Sequence, residues 1–155
     1  MFSTKYVDNF AEFYGNHKAF IQKRFDEAKE LGTSNRELKI DVDLYQQLID
    51  TNIITVLELF EDDTFIGYCS VLISPAILTK GCVDAKIDHI ALGEEYRDQG
   101  YASLVMAEVE ALLKDQGVDE LSIVLPPTKA HDKFAEAKGY KKNIVMHTKS
   151  LEEGE

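Results

Sequence analysis

Residues Leu92-Gly-Glu-Glu-Tyr-Arg-Asp-Gln-Gly-Tyr-Ala-Ser103 stand between two segments of different periodicity. Before them, Asp84 to Leu92 alternates as a strand does. After them, Ala102 to Gln116 carries Val105, Val109, Leu112 and Leu113 on one helical stripe and stops at Gly117. The stretch is therefore a short polar turn, Gly93 to Gly100, leading a strand into a helix. Gly100 permits a backbone turn that a Cβ would obstruct, and Ala102 is small enough for a ligand to approach closely. The first amides of such a helix lack intrahelical acceptors and sit at the positive end of its dipole. A pyrophosphate placed there gains hydrogen bonds and favourable charge, and Arg97 adds a charge-assisted donor. Bare Arg-x-x-Gly-x-Ala is common turn chemistry; the strand before it and the helix after it make it informative.

Outward from this centre the elements follow in turn. Ile53 to Phe60 is apolar and β-branched, Asp62-Asp63 reads as a tight turn, and Phe65 to Ile73 is a second apolar run, which predicts a hairpin. A loop with Ser74-Pro75 and Lys80-Gly81 leads into the strand ending at Leu92. Beyond the helix, Leu121 to Leu125 is a short buried strand halted by Pro126-Pro127, and Thr128 caps a helix to Lys138 that Gly139 closes. Asn143 to Ser150 alternates as a final strand, and Leu151 to Glu155 reads as a frayed acidic tail. Toward the N-terminus, Val7, Phe10, Phe13, Tyr14, Phe20, Ile21 and Phe25 recur at helical spacing from Lys5 to Leu31. Gly15-Asn16 interrupts that run and Gly32 stops it, which predicts a bent helix or two short ones. A further helix runs from Asp43 to Asp50, with Leu44, Leu48 and Ile49 on one stripe. No repeat or linker divides the chain, so residues 1–155 read as one domain, a helical part over 1–52 and a core over 53–151. This order predicts a mixed α/β fold with a partly parallel central sheet flanked by helices.

Composition sets the outer bounds. The 155 residues are 45% hydrophobic and 29% charged, which is ordinary globular usage. Asp and Glu number 28 against 17 Lys and Arg, a net charge of −11. So acidic a surface repels phosphate backbones and anionic lipid, which argues against nucleic-acid or membrane partners and leaves room for a cationic substrate. Cys69 and Cys82 form neither a disulfide framework nor a metal spacing, and they fit a reducing cytoplasm. The start, MFSTKYVDNF, lacks the basic-then-apolar pattern of a signal peptide, and no apolar run reaches bilayer length.

The turn and its neighbours resemble the GNAT family of N-acetyltransferases, whose acetyl-CoA-binding motif is Gln/Arg-x-x-Gly-x-Gly/Ala. The resemblance covers about Ile53 to Leu151: the hairpin, Ile87-Asp-His-Ile-Ala-Leu92, Glu95-Tyr-Arg97, the helix from Ala102, the strand Leu121 to Leu125, and Gly139-Tyr140, which is similar to the family's Gly-Phe. With the closing His147-Thr-Lys-Ser-Leu151, the arrangement also looks like members encoded in bacteriophage genomes. The resemblance implies a sheet splayed between two parallel strands with acetyl-CoA in the gap. Leu92 would offer its backbone to the pantetheine and thioester region, and the amides of Gln99, Gly100, Tyr101, Ala102 and Ser103 would hold the pyrophosphate beside Arg97. An amine acceptor (a small amine, a peptide N-terminus or a Lys side chain) would attack the thioester directly. It also allows a homodimer and needs no metal.

An amine must lose a proton before it attacks. The resemblance places an acid or a His on the strand before the turn, and four residues back from Leu92 is Asp88, the catalytic candidate. Its role would be to attract the ammonium or to act through water; the plainer reading pairs it with a nearby Lys. Alternation turns His89 to the other sheet face, where a structural role is the simpler account, and His131 and His147 are lesser candidates. Four residues before Gly139, where many members carry a Tyr that protonates the departing thiolate, this chain has Ala135. Tyr101 or Tyr140 would have to substitute, or the thiolate leaves unaided. That gap motivates the alternative of a degraded domain that binds acyl-CoA or a protein without turnover. A more distant possibility is an acidic mimic of nucleic acid. Lys129, Lys133, Lys138, Lys141 and Lys142 suit the 3′-phosphate of CoA or simply a solvated face. Phe10, Phe13, Tyr14, Phe20 and Phe25 read mainly as core, and Asp41, Asp43, Glu61, Asp62 and Asp63 as surface charge.

Overall fold

In the computed structural model the described residues are 1–30, 37–126, 128–144, 146–149 and 151. Among the described residues nine elements follow one another: β1 (Phe2–Tyr6), α1 (Phe10–Lys29), α2 (Val42–Asp50), β2 (Ile54–Glu61), β3 (Thr64–Pro75), β4 (Val83–Leu92), α3 (Tyr101–Asp115), β5 (Glu120–Ile123) and α4 (Lys129–Ala137), with a 3₁₀ turn at Glu94–Tyr96. The fold is mixed α/β. The described strands form a sheet in the order β1-β2-β3-β4-β5, antiparallel except for the parallel pair β4–β5. The chain divides into two compact units, Met1–Phe13 with Asp41–Val124, and Tyr14–Ile40 with Leu125–Glu155.

The first unit holds the sheet. β2 and β3 form the expected hairpin, with Asp62 at φ 52 in its turn, a left-handed conformation that Asp tolerates. Residues 66–71 of β3 are buried except for half-buried Tyr68, because β3 lies mid-sheet with both faces covered. Cross-strand partners share a face, so Leu57, Cys69 and Ile90 lie on one side, and Val56, Ser70 and His89 on the other. α3 covers the first of these faces, where the Thr4 hydroxyl donates to Glu108 at 3.4 Å. Val105, Met106, Val109 and Leu113 are its buried stripe, each contributing about 1.5–3 kcal/mol by leaving water. On the opposite face lie the start of α1 and α2. Phe13 meets the Tyr68 ring edge-on at 5.7 Å, and Phe10 stacks on Tyr45 at 4.4 Å. Gln46 ties the two helices: its Oε1 accepts from Phe10 N and its Nε2 donates to Asp8 O, both at 2.8 Å. Asp41 caps α2 by accepting from Leu44 N.

In the second unit α1 breaks at His17 (φ −123, ψ 17), one residue beyond the expected Gly15-Asn16. Thr128 caps α4 by accepting from His131 N, as its position before the helix predicts, and Lys142 pairs with Asp132 at 3.4 Å.

Three expectations meet corrections or limits. The N-terminal helix does not begin at Lys5, because residues 2–6 form β1, whose register against β2 pairs Phe2 with Glu61 and Tyr6 with Leu57. A five-residue stretch is strand or helix according to what lies beside it, and here its partner is some fifty residues away. The final strand over 143–150 is absent among the described residues: 143, 144 and 146–149 have no strand pairing, and Ile144 and Met146 are exposed. Alternation there promised a strand, but a strand needs a neighbour. The helix stop at Gly32, Pro127, Val145, Ser150 and the tail over 152–155 lie outside the described residues.

Burial at mid-sheet pushes the Cys69 thiol up to about 12, whereas Cys82 is half-buried in the loop before β4. Iodoacetamide at pH 8 is therefore expected to alkylate Cys82 in the folded protein. Cys69 should react about 10³-fold more slowly than an ordinary thiol until denaturant is added. Peptide mass mapping checks this, and equal labelling of both cysteines would contradict the burial.

Candidate active site

Pairing between β4 and β5 stops early. Asp84 to Ile87 match Glu120 to Ile123, and the last contact is from Val124 N to Ile87 O at 3.3 Å. From residue 88 to 92, β4 continues with no strand on that edge among the described residues. Parallel strands that part this way leave a cleft with backbone groups on its wall, and β4 runs from it straight into the polar turn.

The turn is built to aim backbone at one point. Gly93 N donates back to Ile66 O at 2.8 Å, and the 3₁₀ turn reverses the chain. Asp98 at φ 60 and Gly100 at φ 88 then swing the chain into α3. Gly100 is the N-cap of α3 and supplies no side-chain cap bond, so the first turn of the helix is left with donors aimed outward. A Cβ built at Gly100 meets nothing within 4 Å, which makes the space beside those donors open. Gln99 and Gly100 are exposed, and Tyr101, Ala102 and Ser103 half-buried. An anion of phosphate size suits this arrangement through hydrogen bonds and the helix dipole together.

Two side chains brace the turn. The Arg97 Nε donates to Leu92 O at 3.2 Å, fastening the turn to the strand end, so one of Leu92's two backbone groups is already engaged. The Gln99 amide donates to Glu95 O. Tyr101 packs toward β1 and β2. Its hydroxyl donates to Glu61 at 3.0 Å, and its ring meets Phe2 at 6.2 Å and Tyr96 at 5.9 Å. Partial burial, then the bond to Glu61, push its phenol up. The Met1 ammonium and then Tyr101 hold the Glu61 carboxyl below its usual range. Tyr101 is thus a strut for the helix start rather than a free proton donor.

A bulge interrupts β4 where β5 leaves it. Ser70 pairs with His89 and Val71 with Ile87, so Asp88 is an extra residue without a partner on β3. Regular alternation would send His89 to the face opposite Asp88; the bulge cancels that alternation and the expectation fails. The His89 Nε2 lies 3.8 Å from Asp88 Oδ2, and the Lys86 Nζ lies 3.9 Å from Asp88 Oδ1. Burial and then the charge of Asp88 push the Tyr45 phenol of α2 up, so this group stands on the face that α2 covers. The side chains of Asp88, Lys86 and His89 are 41%, 42% and 60% exposed, which keeps the Lys86–Asp88 ion pair worth no more than about 1 kcal/mol. The sequence offered no sign of the bulge beyond the clustering of Asp88 and His89.

Other candidates have structural duties or lie in the second unit. Asp41 is a helix cap, Asp62 a turn residue, and Glu61 the partner of Tyr101. His131 sits in the first turn of α4, beside the Thr128 hydroxyl, and His147 is exposed outside any helix or strand. Lys129, Lys133, Lys138, Lys141 and Lys142 are all exposed, and Lys142 is engaged by Asp132. A groove of about 390 Å³ lined by Tyr6, Glu108, Ala111, Leu112, Asp115 and Gln116 contains none of the candidates. Among the described residues no group of three or more metal-ligating side chains occurs, and no helix is long and apolar enough to cross a membrane.

Solved structures share this fold over nearly the whole chain. An aminoglycoside acetyltransferase from an uncultured soil metagenomic sample, solved in complex with sisomicin, aligns with TM-score 0.72 at 15% identity, covering 97% of each chain. Glucosamine-6-phosphate N-acetyltransferase from Arabidopsis thaliana aligns with TM-score 0.69 at 12% identity, over 98% of this chain and 99% of that one. A predicted acetyltransferase with acetyl-CoA from Clostridium acetobutylicum gives TM-score 0.67 at 14% identity over 97% of each. Comparison with curated protein sequences finds no match. The family model described as acetyltransferase (GNAT) family matches residues 18–140, and the chain belongs to that family.

Proposed function

We propose that the protein transfers the acetyl group of acetyl-CoA to a primary amine by direct attack within a ternary complex. The observation that carries this reading is the uncapped start of α3, opening on Gly100 into empty space at the end of a strand whose parallel partner has stopped. Acetyl-CoA supplies an acetyl thioester. The amides of Gln99 to Ser103 bind its pyrophosphate, and the free edge of β4 up to Leu92 lines its pantetheine arm. Arg97 keeps that edge and the turn in register. Asp88 places negative charge where the cleft opens and draws the acceptor's ammonium there. Residues 53–151 carry the cofactor side and 1–52 contribute to the acceptor side. The net charge of −11 favours a polycationic amine over a phosphorylated one.

Calorimetric titration of acetyl-CoA, followed by release of CoA thiol with sisomicin, glucosamine-6-phosphate, lysine and a peptide with a free N-terminus, tests this. Micromolar binding with thiol release for at least one amine, sisomicin ahead of glucosamine-6-phosphate, is the expected result. Binding without release would point to an acyl-CoA-binding module, consistent with Ala135 at the position of the family's usual Tyr. No binding by folded protein would overturn the reading.

A further inference from the structure

Among the described residues β1 ends the sheet, and it carries neither a proline nor a bulge. Bonds at its two ends fix which of its backbone groups are used. Asp62 N donates to Met1 O and Val7 N to Val56 O, both at 2.9 Å. In an antiparallel ladder such pairs recur at every second residue, so Ser3 and Lys5 are the residues of β1 that bond to β2. Phe2, Thr4 and Tyr6 therefore turn their N–H and C=O groups to the outer side of the sheet. An edge of this kind is a template for another strand unless something excludes it.

What stands beside the edge is selective by charge. Tyr6 lies opposite Leu57, so the side chains of Phe2, Thr4 and Tyr6 are on the face that α3 covers. There Tyr6 lines the groove of about 390 Å³ with Glu108, Ala111, Leu112, Asp115 and Gln116. The first four of those α3 residues fall at i, i+3, i+4 and i+7, one stripe with a carboxylate at each end and apolar carbon between. Both carboxylates are exposed, and no Lys or Arg lines the groove. Glu108 accepts from the Thr4 hydroxyl at 3.4 Å, so its charge stands directly over the middle of β1. Two copies joined at this edge about Thr4 would set Glu108 against Glu108, and each copy carries a net charge of −11. The charges that keep the chain from pairing with itself are the ones that a basic strand would satisfy.

We propose that the outer edge of β1 docks an extended basic segment of another protein, which adds antiparallel to the sheet and lays alternate Lys or Arg side chains into the groove beside Glu108 and Asp115. Main-chain bonds to Phe2, Thr4 and Tyr6 supply the attachment, and the groove supplies the choice of sequence. In an antiparallel pair, the residues bonded to Phe2, Thr4 and Tyr6 share their face, so every second side chain of the incoming strand points at the groove. Glu108 and Asp115 are seven residues, or about 10 Å, apart along α3. Alternate strand positions are about 7 Å apart. Long cationic stems cover the difference, and they can lie along Ala111, Leu112 and the Tyr6 ring while their heads reach the carboxylates. The groove contains none of the residues assigned to acetyl transfer, so this docking site stands apart from that reading.

The probe is a short peptide of alternating valine and lysine, blocked at both ends, titrated into the full chain by calorimetry. Saturable binding is expected, at least tenfold weaker when glutamate replaces the lysines. Backbone N-methylation at the lysines, which leaves their charge intact and removes the donors to β1, should cost at least tenfold as well. Glu108→Gln and Asp115→Asn should each weaken binding about three- to fivefold, as exposed ion pairs do, and leave acetyl-CoA titration as in wild type. Hydrogen exchange followed by NMR reads the edge itself. In the free protein the amides of Phe2, Thr4 and Tyr6 should exchange faster than those of Ser3 and Lys5, and the lysine peptide should slow those three. Thr4→Pro, which removes an outward N–H and no bond to β2, should lower affinity at least tenfold. If that variant does not fold, the N-methylated peptide makes the same test on intact protein. No binding of the lysine peptide would overturn the proposal. Equal binding of the N-methylated peptide, with unchanged exchange at Phe2, Thr4 and Tyr6, would overturn it in favour of charge alone. A dimer of the free chain that Thr4→Pro dissolves would overturn it in favour of a second copy.

Discussion

Gly67→Ala is expected to lose about 3 kcal/mol or more of stability, a fall in Tm of roughly 10 °C for a chain of this size. A Cβ at Gly67 would lie 1.9 Å from Ala91 O, 3.0 Å from Ala91 C and 3.1 Å from Leu92 Cα. All three are backbone atoms of the neighbouring strand, so no side-chain rotation relieves the clash, and β3 and β4 must separate or slip. Ordinary overpacking, which side chains absorb in part, costs less. The damage would not stay local. Leu92 O holds Arg97, and Gly93 N holds Ile66 O, so the turn before α3 hangs from the displaced atoms. The folded fraction is expected to lose acetyl-CoA binding as well. Thermal unfolding by circular dichroism with calorimetry on the same sample measures both, and an unchanged Tm would mean that the close approach of the two strands is not maintained in solution.

Gly100→Glu is expected to do the reverse: little change in stability, and at least a 100-fold loss of acetyl-CoA affinity. The backbone there is left-handed at φ 88, which costs a side chain about 1–2 kcal/mol, and nothing lies within 4 Å for a Cβ to strike. The fall in Tm should stay within a few degrees. The new side chain, however, enters the space beside the first amides of α3 and brings negative charge to the place proposed for pyrophosphate. Gly100→Ala isolates the backbone strain and should fall between wild type and Gly100→Glu. Wild-type affinity in Gly100→Glu would refute the proposed cradle. The two glycines are thus distinguished by what surrounds them: one has a strand against it, the other has open space.

Much of the fold was legible because its signals are local. The hairpin over Ile54–Glu61 and Thr64–Pro75, the strand to Leu92, the turn, and the helix from Tyr101 all show in periodicity and in Asp62-Asp63, Gly100 and Thr128. What escaped depends on partners distant in sequence. β1 is a strand only because β2 lies beside it, and the alternation over 143–150 has no neighbour among the described residues. In the candidate site, the turn from Gln99 to Ser103 could be read from residue types and their setting. The bulge could not, since it is the pairing of Ser70 with His89 and Val71 with Ile87 that makes Asp88 supernumerary. Nor could the tight approach at Gly67, which concerns a carbonyl 24 residues away. Likewise, the sequence shows Tyr101 in the motif but not that its hydroxyl is occupied by Glu61.

Synthesis and pairing run in different orders in this sheet. β1 is the earliest of the five strands to be made, yet its partner β2 begins only at Ile54, after two helices. β2, β3 and β4 close through short connections and can zip as soon as they emerge, because small loops cost little entropy to shut. The sheet therefore grows from its middle. β1 joins by a long closure, and β5 joins only after α3 has crossed over to bring it alongside β4. The cleft between β4 and β5 is thereby a late product of folding: a nascent chain has its antiparallel meander well before it has anywhere to hold a ligand.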